Sequence, residues 1–547
     1  MAEVVVQRVI FSAAADRQRL YATISGPSSD QGEQVAVSAH SIRVPGRAAL
    51  CTDTYFNALF EDVWLQAGAV QRWRLRIAAT GTFRITVNRH GPSSGARSKV
   101  AVHAFVDSCD TIIDVAPAPA GPTRLSFDLE AGEGDVTVHE AAWLAVVDAV
   151  RPVSLVAGFC CFRNDDLVLA NVSQLLGDEA LRQVLGQLVL VDQGGEGILA
   201  VRVPKLAGAA GRVAVVEQGN FGGSGGFARV MMEALAYPGA THVLLMDDDV
   251  ATEPECLRRT AVMFAIAAGE IAIGGQMLDL DNPLILHEAG AQVLERKLQA
   301  RALGRGIDAT AGPTLDFLMQ PLRVDYNAWF YFAAPLQAVQ RVGLPMPFFI
   351  NFDDVEYGIR LRSAGVRLVS VPGIAIWHRT GAGKETRWRA YYYQRNTLVI
   401  NAQHHLCSRG QVARIFLKRW LSAVARRDVV RPKLACRAVR DYLKGPTGID
   451  PKPDAFCADI RSLCASAPRK RNNPFALLAS ASVAAVYALR LWLKAPAAES
   501  EWQQAEAVLR TERWWQHYVC GAPPTGAETG AQLNAGAGSD QAAAARR

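Results

Sequence analysis

The sequence predicts three regions in succession: an antiparallel β-sandwich, a doubly wound α/β core, and a helical C-terminal region. Three observations predict this. Apolar and polar residues alternate at period two through the first 148 residues. After Arg151, apolar strand-like runs alternate with helical segments, and polar clusters fall at the strand ends. From Ala390 the apolar spacing becomes helical. The expected boundaries are 1–148, 149–395 and 396–520, with a disordered Gly/Ala-rich tail over 521–547.

Size and composition agree. A chain of 547 residues fits about three domains. Hydrophobic residues at 50% and charged residues at 20% describe a core-forming protein. The net charge of +6 is too mild to point to nucleic acid. It is also uneven: residues 401–498 carry 18 Lys+Arg against 5 Asp+Glu. Clustered basic residues on amphipathic helices point to the anionic inner face of a membrane or to a basic bundle packed on the core. The ten cysteines contain no CxxC pair, so free thiols in a reducing compartment are expected. No basic segment precedes the first apolar run, so no signal peptide is expected and the location reads as cytoplasmic. The longest charge-free apolar stretch, Phe475–Leu489, has 15 residues. A bilayer span needs about 20, so a buried or interfacial helix is expected there.

In the first region, Trp73, Leu75 and Ile77 alternate with Arg72, Arg74 and Arg76, and Phe83, Ile85 and Val87 with Arg84 and Thr86. Ala79–Thr82 reads as the turn between them, Leu125, Phe127 and Leu129 repeat the pattern, and Pro117, Pro119, Gly121 and Pro122 mark a loop. In the core, strands are expected at 153–160, 188–191, 213–216 and 242–246, with helices over 168–188 and 227–235. In the third region, Val412, Ile415, Phe416, Trp420, Leu421 and Val424 lie near one face of a helix over 411–427.

Four constellations could carry chemistry. Asp247-Asp248-Asp249 follows an apolar strand directly; adjacent carboxylates repel, and a divalent cation such as Mg²⁺ or Mn²⁺ would relieve that. A solvated acidic loop is the plain alternative. The stretch from Gly219 to Gly226 opens a helix, where backbone N–H groups meet phosphate or sugar. It lacks a Walker lysine, and Gly223-x-Gly225-x-x-Ala228 keeps a dehydrogenase reading open. In Asp353-Asp354-Val355-Glu356, Asp353 reads as an N-cap with Glu356 at the capping-box position. That leaves Asp354, which could take a proton from an attacking hydroxyl. Finally, Trp377-His378-Arg379 follows the strand-like runs Val366–Val371 and Ile374–Ile376.

The order of these four pieces resembles inverting GT-A glycosyltransferases that use nucleotide-diphosphate sugars. More narrowly, the chain resembles the polymerising galactofuranosyltransferases that build cell-wall galactan. The resemblance covers nearly the whole chain and implies a GT-A core between a β-sandwich and a helical region. It implies Asp354 as general base, Asp247, Asp249 and His378 as ligands of Mn²⁺ or Mg²⁺, and Arg163, Gln193, Asn220 and Asp248 at the donor, with UDP-galactofuranose as that donor. It implies acceptor contacts from Trp329, Phe330, Asp353 and Glu356. The family has paired tryptophans where this chain reads Trp329-Phe330; phenylalanine can stack on a sugar but donates no N–H. The implied acceptor is a glycan or lipid-linked glycan, with a homo-oligomer and peripheral contact with an anionic membrane among the implied associations. Another nucleotide sugar, such as a rhamnosyl donor, and a non-catalytic carbohydrate-binding protein with a degenerate transferase domain stay open.

Overall fold

A computed structural model describes residues 1–26, 35–36, 38–92, 96–118, 121–380, 387–426, 428, 430–450, 452–465 and 474–519. The expected tail 521–547 and Pro119 lie outside the described residues.

The first region is two facing antiparallel sheets. One runs in the order 108–115, 70–80, 136–147, 42–44, 35–36, with Ala2–Arg8 paired to the 136–147 strand. The other runs 23–25, 49–51, 124–131, 83–90, 97–105, with Leu59–Phe60 paired to the 124–131 strand. Trp73, Leu75 and Ile77 face Ile85, Val87, Leu125, Phe127 and Leu129, and all are fully buried. The turn over 79–82 does not close a hairpin, because its two strands belong to different sheets. Outward-facing Arg74 pairs with Asp114 at 2.8 Å, a solvent-screened bridge that adds little to stability.

The core is a mixed sheet. Strands Val213–Glu217, Leu185–Asp192, Leu155–Cys161 and His242–Asp247 are parallel neighbours. Beyond them Tyr331–Pro335 runs antiparallel, wedged between His242–Asp247 and Ile271–Asp279. The sequence reading of a wholly parallel sheet is corrected by that strand. The helix expected over 168–188 is shorter: it spans Asp165–Gly177, and Asp178 then accepts the Leu181 N–H at 3.1 Å to start a separate 3₁₀ turn. The short helical turn frees Leu185–Leu190 to enter the sheet.

An ion cluster fastens the sandwich to the core. Glu255, on the helix Pro254–Ile266, accepts from the Arg8 backbone (2.8 Å) and Arg8 Nε (2.7 Å), Arg258 Nε (2.7 Å) and Arg259 Nε (3.1 Å). Arg259 also donates to the carbonyls of Phe56, Gly373 and Arg8. Burial alone would raise the Glu255 carboxyl, but Arg258, Arg259 and Arg8 hold it well below the usual range.

The helical region is continuous with the core. Helix Arg409–Ala425 starts on a Ser408/Gln411 capping box and buries Val412, Phe416, Trp420 and Ala423. Leu421, expected on that face, is 58% exposed. The last helix, Glu512–Val519, sets Trp515 Nε1 on the Pro345 carbonyl (3.0 Å) and Tyr518 against Phe221 (5.0 Å between centroids). Among the described residues no helix is long and apolar enough to cross a membrane.

Candidate active site

Strand pairing assembles the first group. His242–Asp247 ends with Asp247 beside Cys160 of the neighbouring strand. The chain turns through Asp248 and Asp249 and continues as Val250–Thr252, antiparallel to the end of Arg367–His378, with Val250 opposite His378. This register sets His378 Nε2 2.8 Å from Asp249 Oδ1 and 3.8 Å from Asp247 Oδ2. One ligand atom from each of the three lies within 4.8 Å of the others.

The chemistry of that set fits a divalent cation. Two hard carboxylate oxygens and one imidazole nitrogen suit Mn²⁺ or Mg²⁺. Shelter from water pushes the Asp247 carboxyl up to about 7; His378 opposes this and Asp249 and Asp248 add to it. His378 is held above its ordinary value: desolvation would lower it, and the hydrogen bond to Asp249 and the charge of Asp247 outweigh that. His378 Nδ1 is buried without a hydrogen-bond partner among the described residues, so only Nε2 is committed to the carboxylates. Trp377 braces the strand end: its indole donates to the Pro283 carbonyl (3.1 Å), with Arg17 (4.5 Å) and Phe56 (5.5 Å) against its rings. The sandwich thus helps to aim His378.

Asp248 points elsewhere. Its two oxygens accept the Phe162 N–H and the Asn164 amide. Burial raises its carboxyl to about 6, with those hydrogen bonds opposing. Its geometry is that of a clip that holds the end of the Leu155–Cys161 strand. Arg163, held by that clip at φ 65°, keeps an exposed side chain 3.6 Å from Glu196 and open to a ligand.

The glycine-rich segment begins the helix Gly222–Ala236, so the helix starts five residues earlier than the spacing indicated. Gly222 has φ 67°, and a Cβ there would meet the Phe349 carbonyl oxygen at 2.0 Å. A Cβ at Gly226 would meet Cys160 Sγ at 2.2 Å, so the glycine lets the helix lie on the sheet. Gln193 is 4% exposed and pins this segment: Nε2 donates to the Gly222 carbonyl (3.0 Å), and Oε1 accepts the Phe221 N–H (2.8 Å). Asn220 accepts the Gly222 N–H (3.0 Å) and donates to Asp454 (2.9 Å). Both side chains, expected at the donor, hold the glycine-rich segment in place.

The second carboxylate group opens the helix Asp353–Ser363. The N-cap is Phe352, in the left-handed region at φ 71°, with Asn351 at 66° and Phe349 at 70°. Such backbone is strained for non-glycine residues and clusters at functional sites. Asp353 is therefore not the cap; it is buried and accepts from Ser224 Oγ at 2.9 Å, tying this helix to the glycine-rich one. Glu356 is not a capping-box residue or an acceptor contact either. It is fully buried, bound by Arg360 (2.8 and 2.7 Å) and His404 (3.2 Å). Asp354 is half-buried, its carboxyl raised well above the usual range by burial, then by Asp353, with Glu288 and Asp247 adding.

Trp329, expected on the acceptor, is 4% exposed and packed edge-on against Phe227 and Tyr357. It belongs to the core. Phe330 is buried with its ring 6.3 Å from that of His378. Sequence reasoning missed Glu288, whose Oε1 is buried with no hydrogen-bond partner among the described residues. Burial pushes its carboxyl up to about 7 against the opposing Arg305, and it acts on Asp354. The one signal was an acidic residue closing the short apolar run Ile285-Leu286.

Residues 159–399 match the model of glycosyltransferase-like family 2, and residues 6–146 match that of the galactofuranosyltransferase 2 N-terminal region. The galactofuranosyltransferase GlfT2 of Mycobacterium tuberculosis is 31% identical over 432 residues, covering 75% of this chain and 67% of that protein. The chain belongs to the galactofuranosyltransferase family. Its homologue in Mycolicibacterium smegmatis, also a GlfT2 galactofuranosyltransferase, is 29% identical over 475 residues, covering 83% of this chain and 72% of that protein. Among solved structures, GalNAc-T7 with UDP, GalNAc and Mn²⁺ aligns with 48% of this chain and 49% of its own at 12% identity and a TM-score of 0.36. The family membership makes the protein a glycosyltransferase with a GT-A core, and the dehydrogenase reading falls. In this galactofuranosyltransferase-family chain the acidic residue a dinucleotide fold would need, Asp247, faces His378.

Proposed function

We propose that this protein transfers galactofuranose from UDP-galactofuranose to a glycan or lipid-linked glycan by a single displacement that inverts the anomeric centre. The convergence of Asp247, Asp249 and His378 within 4.8 Å carries the reading, with Asp247 also acting on the carboxyl of Asp354. Asp354 takes the proton of the acceptor hydroxyl as it attacks. Its raised affinity for protons suits that task. Glu288 receives a second acceptor hydroxyl through its unpartnered oxygen. Asp247, Asp249 and His378 would hold Mn²⁺ or Mg²⁺, which when bound offsets the charge of the departing nucleoside diphosphate. The glycine-rich helix N-terminus, pinned by Gln193 and Asn220, presents its N–H groups to the phosphates. Arg163 contacts the nucleotide. A donor screen for UDP release tests the reading: turnover should require UDP-galactofuranose, and a rhamnosyl nucleotide should not replace it.

The acceptor side includes a peripheral contact with an anionic membrane. The helix Pro474–Leu509 exposes Leu489, Trp492 and Leu493 beside Arg490 and Lys494, and the neighbouring helix exposes Leu421. Apolar side chains flanked by cations suit the interface of an anionic bilayer.

A further inference from the structure

The catalytic groups above are acidic apart from His378, yet a nucleoside diphosphate brings two phosphates. The helical region supplies cations that the motifs did not reveal. Trp388, the N-cap of helix Arg389–His404, is buried, with its ring against two guanidinium groups. Arg389 Cζ lies 5.6 Å from the ring centroid, and Arg461 Cζ lies 4.4 Å from it. The two come from helices far apart in sequence.

Two cations on one ring repel each other. Among the described residues neither forms an ion pair with a carboxylate. Burial and then Arg461 disfavour the charge of Arg389, and the carboxylates Asp247 and Asp249 favour it. Arg461 is aimed by its helix, Pro453–Ala465. Asp454 on that helix accepts from Asn220 of the glycine-rich segment at 2.9 Å. Arg461 follows Asp454 by seven residues, two turns on, and so shares the face that meets that segment. A cation pair braced on one aromatic ring, with no carboxylate partner among the described residues, has the chemistry of an anion site.

We infer that Arg389 and Arg461, held on Trp388, form a phosphate clamp. This rests on the nucleotide-donor reading. The shared chemistry is a diphosphate, from either the sugar nucleotide or a lipid diphosphate that carries the acceptor.

Calorimetric titration of the full chain and of R461Q and R389Q with UDP, uridine and inorganic pyrophosphate tests the clamp. Arg461 is exposed, so R461Q leaves the core closed; thermal melting checks this, and R461K should restore part of the binding. If the phosphates are the donor's, R461Q weakens UDP and pyrophosphate at least tenfold and leaves uridine unchanged. If they are the acceptor's, UDP binding holds, and the KM for a lipid-diphosphate acceptor rises at least tenfold relative to a neutral glycoside acceptor. Unchanged affinity for UDP and pyrophosphate together with an unchanged KM ratio overturns the clamp. A wild-type chain that binds pyrophosphate but not UDP defeats the nucleotide reading instead, and the pyrophosphate comparison still decides the clamp.

Discussion

Val250 pairs with His378 across two short antiparallel strands, and that register brings the histidine to the acidic triplet. A slip of one residue would turn the His378 side chain to the other face of the strand. The candidate metal centre is therefore a product of sheet register, with Trp377 locked by the sandwich to keep it.

Asp354→Asn removes the proposed base and keeps the shape of the pocket. Turnover should fall by roughly 10²–10⁴-fold, with UDP binding retained. Wild-type turnover would remove Asp354 from that role.

Dialysis against a chelator should stop transfer, and Mn²⁺ or Mg²⁺ should restore it. His378→Ala should raise the Mn²⁺ concentration for half-maximal activity by about tenfold or more, since it deletes one of three ligands. Full activity after chelation would dismiss the cation.

Glu255→Ala strands Arg258, Arg259 and Arg8 around an empty buried position. Losing one partner of a buried ion cluster costs about 3–5 kcal/mol, so urea unfolding should show a drop of that order. Because the cluster joins sandwich to core, the loss should be global. A change within 1 kcal/mol (roughly the spread of ordinary surface substitutions) would contradict the fastening role.

Glu356 governs part of the acid stability. Burial would raise its carboxyl, but Arg360 and His404 bring it down to about 2 in the folded chain, against an unfolded value near 4.5. The depressed folded value means its stabilisation is complete above pH 4.5 and is lost as pH falls toward 2. The shift corresponds to roughly 3 kcal/mol. Glu356→Gln should be less stable than wild type at pH 7, and the gap should shrink through that window. A constant gap would contradict the assignment.

Leu493→Glu with Trp492→Glu should abolish sedimentation with anionic vesicles and leave activity on a short soluble acceptor unchanged. Equal binding by the variant would move the membrane contact elsewhere.

Much of this architecture is legible in the sequence. Period-two alternation around Trp73 and Phe127 gave the sandwich, and the apolar strand before Asp247 gave the centre of the core. The exceptions have local causes. Asp353 and Glu356 matched a capping box by spacing, but a left-handed Phe352 moved the helix start, and Arg360 claimed Glu356. Gln193 and Asn220 carry the right chemistry for a ligand and spend it on the glycine-rich segment. Trp329 has the right residue type, but it sits in the turn before the strand Tyr331–Pro335, where packing buries it. Glu288 and Arg461 lie in no motif: only the tertiary fold lets Glu288 act on Asp354 and sets Arg461 over the Trp388 ring.

Inverting galactofuranosyl transfer is proposed to depend on Asp354 acting with the Asp247/Asp249/His378 centre. The most direct measurement is the anomeric configuration of the product formed from UDP-galactofuranose by wild type and by Asp354→Asn. Wild type should give inverted product and the variant none. Retained configuration, or equal product from Asp354→Asn, would contradict it.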